Sequence, residues 1–406
     1  MRRHTQMTYG RLGLVWASTL LALGTVGCAD DESPFEAPQT GVEAERAAGE
    51  QPSAMIVPDT FPDPSIPSDN VPTEARVDLG RHLFYDTLLS GNETYSCGTC
   101  HQQALAFTDG LPIAEGSTGE SHSVGSMSLA NAAYPATLGW GNPTLTSLEA
   151  QALVPMFGEE PVELGLAELG EDGLLARLRE QPRYQTRFPD AFPGESDPFT
   201  VGNIARAIAS FQRTMISANS PYDKHQRGEP EAMSPEAQRG MALFFSERLE
   251  CFHCHSGFNF SDSVSSPEFP FAEQPFHNNG MYNVGNTGAY PENQGVYELT
   301  GDIDDQGKFK APTLRNIAVT APYLHDGSVE TLPELIDLYA AGGRNIVDGD
   351  LAGDGTQHPN KSTFVVGFEL SDAERADLLA FLEALTDEEF LTNPALSDPY
   401  EEAQSP

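Results

Sequence analysis

Basic residues are scarce in this chain. Lysine and arginine total 22 of 406 residues against 60 aspartates and glutamates, a formal net charge of −38. A surface this acidic repels a phosphate backbone, which excludes nucleic acid as a partner. It suits a soluble body and a basic protein partner met by electrostatic steering; solubility alone is the plainer reading. Long apolar runs are missing too, apart from Leu12 to Gly27, which is too short to cross a bilayer as a stable helix. With Arg2, Arg3 and Arg11 ahead of it, this run has the layout of a secretory signal over residues 1–27. It ends in Gly24-Thr25-Val26-Gly27-Cys28, similar to a bacterial lipobox, so Cys28 is expected to carry lipid as the first residue of the mature protein. The alternative is an ordinary signal with Cys28 a bystander. Strand signals are weak and local, and the expected fold class is mostly α. Tryptophan is nearly absent: of two, only Trp140 lies beyond the signal.

Cysteine is also sparse, five in all, and four of the five fall in two pairs. These are Cys97-Gly98-Thr99-Cys100-His101 and Cys251-Phe252-His253-Cys254-His255. Each CxxCH reads as a site of covalent c-type haem attachment. The two thiols add across the haem vinyl groups, and the next histidine is then held under the iron, making His101 and His255 the proximal ligands. CxxC pairs also bind zinc, but zinc has no need of a histidine directly after each second cysteine. A disulfide reductase would need one such pair in a βαβ setting that is absent here. Haem attachment in bacteria takes place outside the cytoplasm, in agreement with export to the periplasm.

Residues 28–70 are rich in Pro, Glu, Ala, Asp and Ser, and read as a disordered tether. Order is expected from Val71-Pro72-Thr73-Glu74, a helix start. Gly80-Arg81-His82-Leu83-Phe84-Tyr85-Asp86 before the first haem motif is repeated as Gly240-Met241-Ala242-Leu243-Phe244-Phe245-Ser246 before the second. The second of these helices starts at Ser234 as N-cap with Pro235 in the first position. The repeat predicts two cytochrome c-like helical domains, 71–233 and 234–390, each wrapped on one haem, with a tail over 391–406. Helices are also expected over Thr146 to Ala152, Val201 to Ile216 and Ser371 to Leu385. The last carries a Ser371/Glu374 capping box and an apolar face that reads as core.

Axial ligands decide what such haems do: an open sixth position can bind peroxide, whereas two strong ligands leave only electron transfer. Here the sequence resembles a known family. Besides the tandem motifs, the segments carrying the resemblance are Thr146-Ser147-Leu148-Glu149-Ala150-Gln151-Ala152-Leu153-Val154-Pro155, Pro161-Val162-Glu163-Leu164-Gly165, and Lys310 to Gly327. Together they are similar to the bacterial di-haem cytochrome c peroxidases and MauG, above all to the MbnH-like branch of methanobactin cassettes, over roughly residues 71 to 390.

The resemblance implies a peroxidatic N-terminal haem whose open face is lined by Gln151 and Glu163, with Pro155 packed nearby. Glu163 is then the general acid–base that takes a proton from H₂O₂ and returns it to the leaving oxygen; a solvated surface carboxylate is the alternative. The family's far ligand to the second haem is a Met eight residues after the Thr that follows HDG. Counting from Thr331 reaches Tyr339 instead, as in MauG. An anionic oxygen ligand favours oxidised iron where Met favours reduced iron. Trp140 aligns with the family's tryptophan between the haems. The family also holds Ca²⁺ through two carbonyls, matching Thr320 and Pro322, and an Asn whose position falls on Gly125, which places that ion in question. The surface tryptophan two residues before MauG's second motif is Leu249 here, so a partner is oxidised by another route. His122 reads as a loop histidine, with ligation of the first haem in a resting form, as in some of these peroxidases, the alternative; His325 reads as a supporting residue of the HDG turn.

The resemblance therefore implies an enzyme that reacts with H₂O₂, forms a high-valent di-haem state and oxidises a protein partner, with tryptophan on a small copper-binding protein as the implied target. The rival readings are a conventional peroxidase fed by a small cytochrome and a non-catalytic electron-transfer cytochrome. Tyr339 in place of Met separates the first two; Glu163 and Gln151 speak against the third.

Overall fold

A glycine in each copy of the sequence repeat marks where two helices meet. A computed structural model of the chain describes residues 54–270 and 276–400. The signal, Cys28 and residues 29–53 of the tether expected over 28–70 lie outside the described residues; residues 54–70 are folded instead, with Phe61 buried and 4.5 Å from Phe258 between ring centroids. Among those described, the α-helices in chain order are α1 (Glu74–Tyr85), α2 (Cys97–Cys100), α3 (Leu148–Phe157), α4 (Gly170–Arg179), α5 (Pro182–Ala191), α6 (Val201–Arg213), α7 (Pro221–Gln226), α8 (Pro235–Phe244), α9 (Tyr297–Thr300), α10 (Leu332–Ala340), α11 (Asp372–Glu383) and α12 (Glu388–Thr392). Extended structure is limited to two antiparallel pairs of two-residue strands, Phe276–His277 with Phe309–Lys310 and Asn345–Ile346 with Gly353–Asp354. The chain is therefore mostly helical, as expected. None of the described helices is long and apolar enough to cross a membrane.

The helix starts follow local chemistry. The Thr73 side chain accepts from the Arg76 N–H ahead of α1, and Ser234 accepts from Ala237 N–H ahead of α8 with Pro235 at the first position. Reciprocal capping boxes open α10 at Thr331/Glu334 and α11 at Ser371/Glu374. α1 packs across α6, and a side chain on Gly80 would overlap the carbonyl oxygen of Ala207. α8 packs across α11 in the same way, with Gly240 against the Asp377 carbonyl. In both pairs only a missing Cβ lets the backbones approach this closely.

Two hydrophobic cores form around these crossings. The first gathers Leu79, Leu83 and Phe84 with Ile204, Ile208 and Phe211. The second gathers Phe244 and Phe260 with Leu378, Phe381 and Leu382. Each fully buried large side chain contributes about 1.5–3 kcal/mol. Phe84 meets Phe211 at 5.4 Å between ring centroids, and Phe244 meets Phe381 at 5.2 Å. Arg315, 1 % exposed, joins the second half to α7 through a two-pronged ion pair with Asp223, its nitrogens 2.8 and 2.9 Å from the carboxylate oxygens.

The end of the chain departs from the sequence expectation of a tail beginning at residue 391. Residues 388–400 return to the first half. Phe390 and Leu396 enter the first core, Tyr85 OH donates to Leu396 O at 2.6 Å, and Gln103 donates to Asn393 O at 2.9 Å. Two buried apolar side chains reward that return, and neither shows a periodicity that marks it in the sequence.

Candidate functional site

Both CxxCH segments follow the helices that carry the repeat, and both use the same device to aim the histidine. His101 Nδ1 lies 2.7 Å from Phe107 O, and His255 Nδ1 lies 3.1 Å from Phe260 O. An Nδ1–H that donates to a carbonyl leaves Nε2 bare and its lone pair free for a metal. Burial pushes both imidazoles below the usual histidine range, so they are neutral and able to ligate. Phe107 and Phe260 take left-handed backbone conformations, φ 64° and 49°, which turn these carbonyls towards the rings. Such a conformation costs a phenylalanine about 1–2 kcal/mol. The rings recover it by complete burial in the two cores.

The residues of the second site suit a haem. A cavity of about 190 Å³ is walled by Cys251, Cys254 and His255, by Tyr339 from α10, and by a largely apolar lining that includes Leu249 and Phe309. Tyr339 and Asn279 line the same cavity, and burial pushes the Tyr339 phenol up to about 12. Burial likewise pushes the Cys97, Cys100 and Cys251 thiols up to about 12. Burial keeps these three thiols protonated rather than activating them as thiolates. His277 Nε2 pairs with Asp262 at 2.5 Å beside Cys254; burial opposes its charge, but this bond lifts the imidazole to about 10. His325 stacks on Phe309 at 3.7 Å, and burial pushes it down to about 4.

At the first site the negative charge of Glu163 is felt by Cys97, Cys100 and His101 together. Gln151 projects from α3, and its Oε1 is buried without a hydrogen-bond partner. Pro155 lies in the last turn of the same helix, and its carbonyl accepts from Leu164 N–H at 2.8 Å, tying α3 to the loop that bears Glu163. His122, read from the sequence as a loop residue, reaches Glu163: Nε2 to Oε1 is 3.3 Å. Its Nδ1 is also buried and unpartnered. Orphaned buried polar atoms are rare in native proteins and mark places where a polar ligand belongs.

Trp140 lies on the wall of the second-haem cavity and also of a smaller cavity of about 70 Å³. Its Nε1–H donates to Gly125 O at 2.9 Å. The smaller cavity is bordered by Gly125, Thr320, Pro322 and Asp109. A side chain on Gly125 would press on the Pro112 carbonyl oxygen, so this position has no room for a liganding amide. Asp109, whose carboxylate accepts from Ser126 Oγ at 3.2 Å, is the acid nearest to hand. Sequence reasoning passed over Asp109, the His122–Glu163 contact and the Phe107 and Phe260 carbonyls. The last had a signal: a phenylalanine follows each motif histidine by five or six residues.

Comparison with known proteins gives the family. The cytochrome-c peroxidase IdrP1 of Denitromonas iodatirespirans is 36% identical over 371 residues, spanning 87% of this chain and 91% of that protein. The chain belongs to the di-haem cytochrome c peroxidase family. The family model described as di-haem cytochrome c peroxidase matches residues 74–231. The methylamine utilization protein MauG of Methylorubrum extorquens is 31% identical over 325 residues, 79% of this chain and 80% of that one. Among solved structures, a MauG-like protein associated with microbial copper homeostasis is 46% identical, with a TM-score of 0.83, covering 85% of this chain and 98% of that protein. The diheme peroxidase BthA of Burkholderia thailandensis, 19% identical with a TM-score of 0.62, shares the fold. Membership implies two c-type haems, and the protein is a haem peroxidase-type oxidoreductase acting on H₂O₂. A purely electron-transferring cytochrome is thereby set aside.

Proposed function

We propose that the protein is a MauG-like oxidase that uses H₂O₂ to oxidise side chains of a partner protein. The observation that carries this reading is Tyr339 on the wall of the cavity that also holds Cys251, Cys254 and His255. When bound, the two haems supply a store for the two oxidising equivalents of H₂O₂. The Tyr339 phenol is protonated in its buried setting; holding a ferric haem iron it would give up that proton, and an anionic oxygen ligand would favour the oxidised metal. The half spanning 71–233 takes the peroxide and the half spanning 234–390 stores charge. Glu163 holds the proton that must leave one peroxide oxygen and reach the other, His122 orients its carboxylate, and the free amide oxygen of Gln151 receives the peroxide hydrogen. Trp140, on the wall of the second-haem cavity, would pass charge between the haems.

A calcium ion fits the smaller cavity with Asp109 supplying the charge that Gly125 lacks, alongside the Thr320 and Pro322 carbonyls. Likeness to a protein associated with copper homeostasis supports a copper-binding partner. The N-terminal sequence supports a lipid-anchored, periplasmic location.

The deciding experiment mixes diferric protein with H₂O₂ without prior reduction. Mössbauer spectroscopy is expected to find both irons above the ferric level. Tyr339→Met is expected to raise the potential of the second haem and abolish the direct reaction. A ferric protein that stays inert until half-reduced by a donor cytochrome establishes instead the conventional peroxidase, the reading favoured by the name of the IdrP1 relative.

A further inference from the structure

The position two residues before the second haem motif is Leu249, a buried aliphatic residue that cannot carry charge to a partner. A different set of side chains leads out of the second-haem cavity. Phe309 and Met281 form part of its wall. Tyr290 lies 6.1 Å from Phe309 between centroids, and Tyr282, the residue after Met281, lies 5.5 Å from Tyr290 edge to face. Tyr282 OH donates to Asp326 Oδ2 at 2.7 Å. The Arg344 guanidinium sits 5.6 Å over the Tyr282 ring and donates to Ser328 Oγ at 3.0 Å, where the chain meets solvent.

The geometry points to a charge relay from the second haem to the surface, in which Tyr282 is the oxidisable residue, Asp326 its proton acceptor and Tyr290 the bridge from the cavity. A phenol is oxidised readily only when its proton has somewhere to go. Burial and the neighbouring Asp326 push the Tyr282 phenol up to about 12, so at neutral pH the proton is present and must move with the electron. Burial opposes ionisation of Asp326, but bonds from Tyr282 and Ser328 hold it below the usual carboxylate range, so at neutral pH it is ionised and open to the proton. Tyr290 has no carboxylate bonded to it: its hydroxyl donates to the Asn278 amide oxygen at 3.4 Å and otherwise lies beside the Met281 and Tyr282 backbone. The radical therefore rests on Tyr282.

The relay rests on the function proposed above. Tyr282 gives one electron towards the cavity and its phenolic proton to Asp326, becoming a neutral radical beside a protonated acid. An oxidisable side chain of a docked protein then returns an electron to the ring, and the proton moves back from Asp326. Two such passages discharge both equivalents taken from H₂O₂, whose oxygens leave as water with the two protons that the oxidised side chain releases.

The test uses the di-haem protein alone, mixed with H₂O₂ and frozen for electron paramagnetic resonance, with the Soret band followed in parallel. Wild type is expected to give a tyrosyl signal that narrows on ring-deuterated tyrosine. Tyr282→Phe should lose the signal while keeping the prompt Soret change. Tyr290→Phe should keep it but form it about tenfold more slowly, and Asp326→Asn, which retains shape but not basicity, should cut its yield about tenfold. A normal Soret change with no tyrosyl signal in wild type, or a signal that survives Tyr282→Phe, overturns the relay and leaves the proposed function standing. Absence of any Soret change in the ferric protein overturns that function and the relay with it.

Discussion

The two halves of the molecule hold their motif histidines alike and differ in the side chains gathered near them. In each, an apolar helix crosses a second helix at a glycine, Gly80 on α6 and Gly240 on α11. In each, a phenylalanine held in a left-handed turn presents its carbonyl to the motif histidine. Across the haem position the likeness stops. The first half brings Glu163, Gln151 and His122, with proton-carrying groups and unpartnered buried atoms. The second brings Tyr339 from α10 in a largely apolar cavity. On the function proposed above, the halves share what would hold a haem and differ in the residues that would select its chemistry.

Replacing Cys251 and Cys254 by alanine puts the independence of the halves to its hardest trial. Pyridine haemochrome analysis should fall from two covalent haems per chain to one. A fall to none would mean that the first half cannot mature alone, and bound zinc in the wild type would undo the haem assignment altogether.

The distal difference is sharpened by Glu163→Gln. Reaction with H₂O₂ should slow by about 10²-fold or more, the scale of a positioned proton-transfer group, with haem content unchanged. Stopped-flow traces indistinguishable from wild type would return Glu163 to the role of a surface carboxylate.

The smallest effect addresses the shared scaffold. Gly80→Ala and Gly240→Ala each force a methyl group into a backbone carbonyl, and should each cost about 1–3 kcal/mol in urea unfolding of the holoprotein. Similar losses would support one architecture used twice. A loss confined to one variant would show that the other crossing relaxes, and the likeness of the halves would be only apparent.

Much of this organisation was legible beforehand because it depends on local chemistry. Thr73, Ser234 and Ser371 cap helices through bonds made within a few residues of themselves. The glycine-bearing repeat marked the two crossings without saying what each glycine touches. The return of Phe390 and Leu396 to the first core went unread, since their partners lie hundreds of residues away and no periodicity announces them. His122 was unreadable for a related reason: 41 residues separate it from Glu163, and only folding of the intervening loop makes them neighbours.

The sequence by itself determined that this chain attaches two haems, because thiol spacing and the adjacent histidine are covalent facts of a five-residue stretch. It also determined the helical class and the existence of a repeat, since capping and apolar periodicity are local. Tertiary structure alone decided which side chains face the haem cavities. It set Tyr339 in the cavity of His255, put His122 against Glu163, left no space for a side chain at Gly125, and lined up Tyr290, Tyr282 and Asp326. Those relations are distances between segments far apart in the chain, fixed by close packing of two cores and not by any residue's own preference.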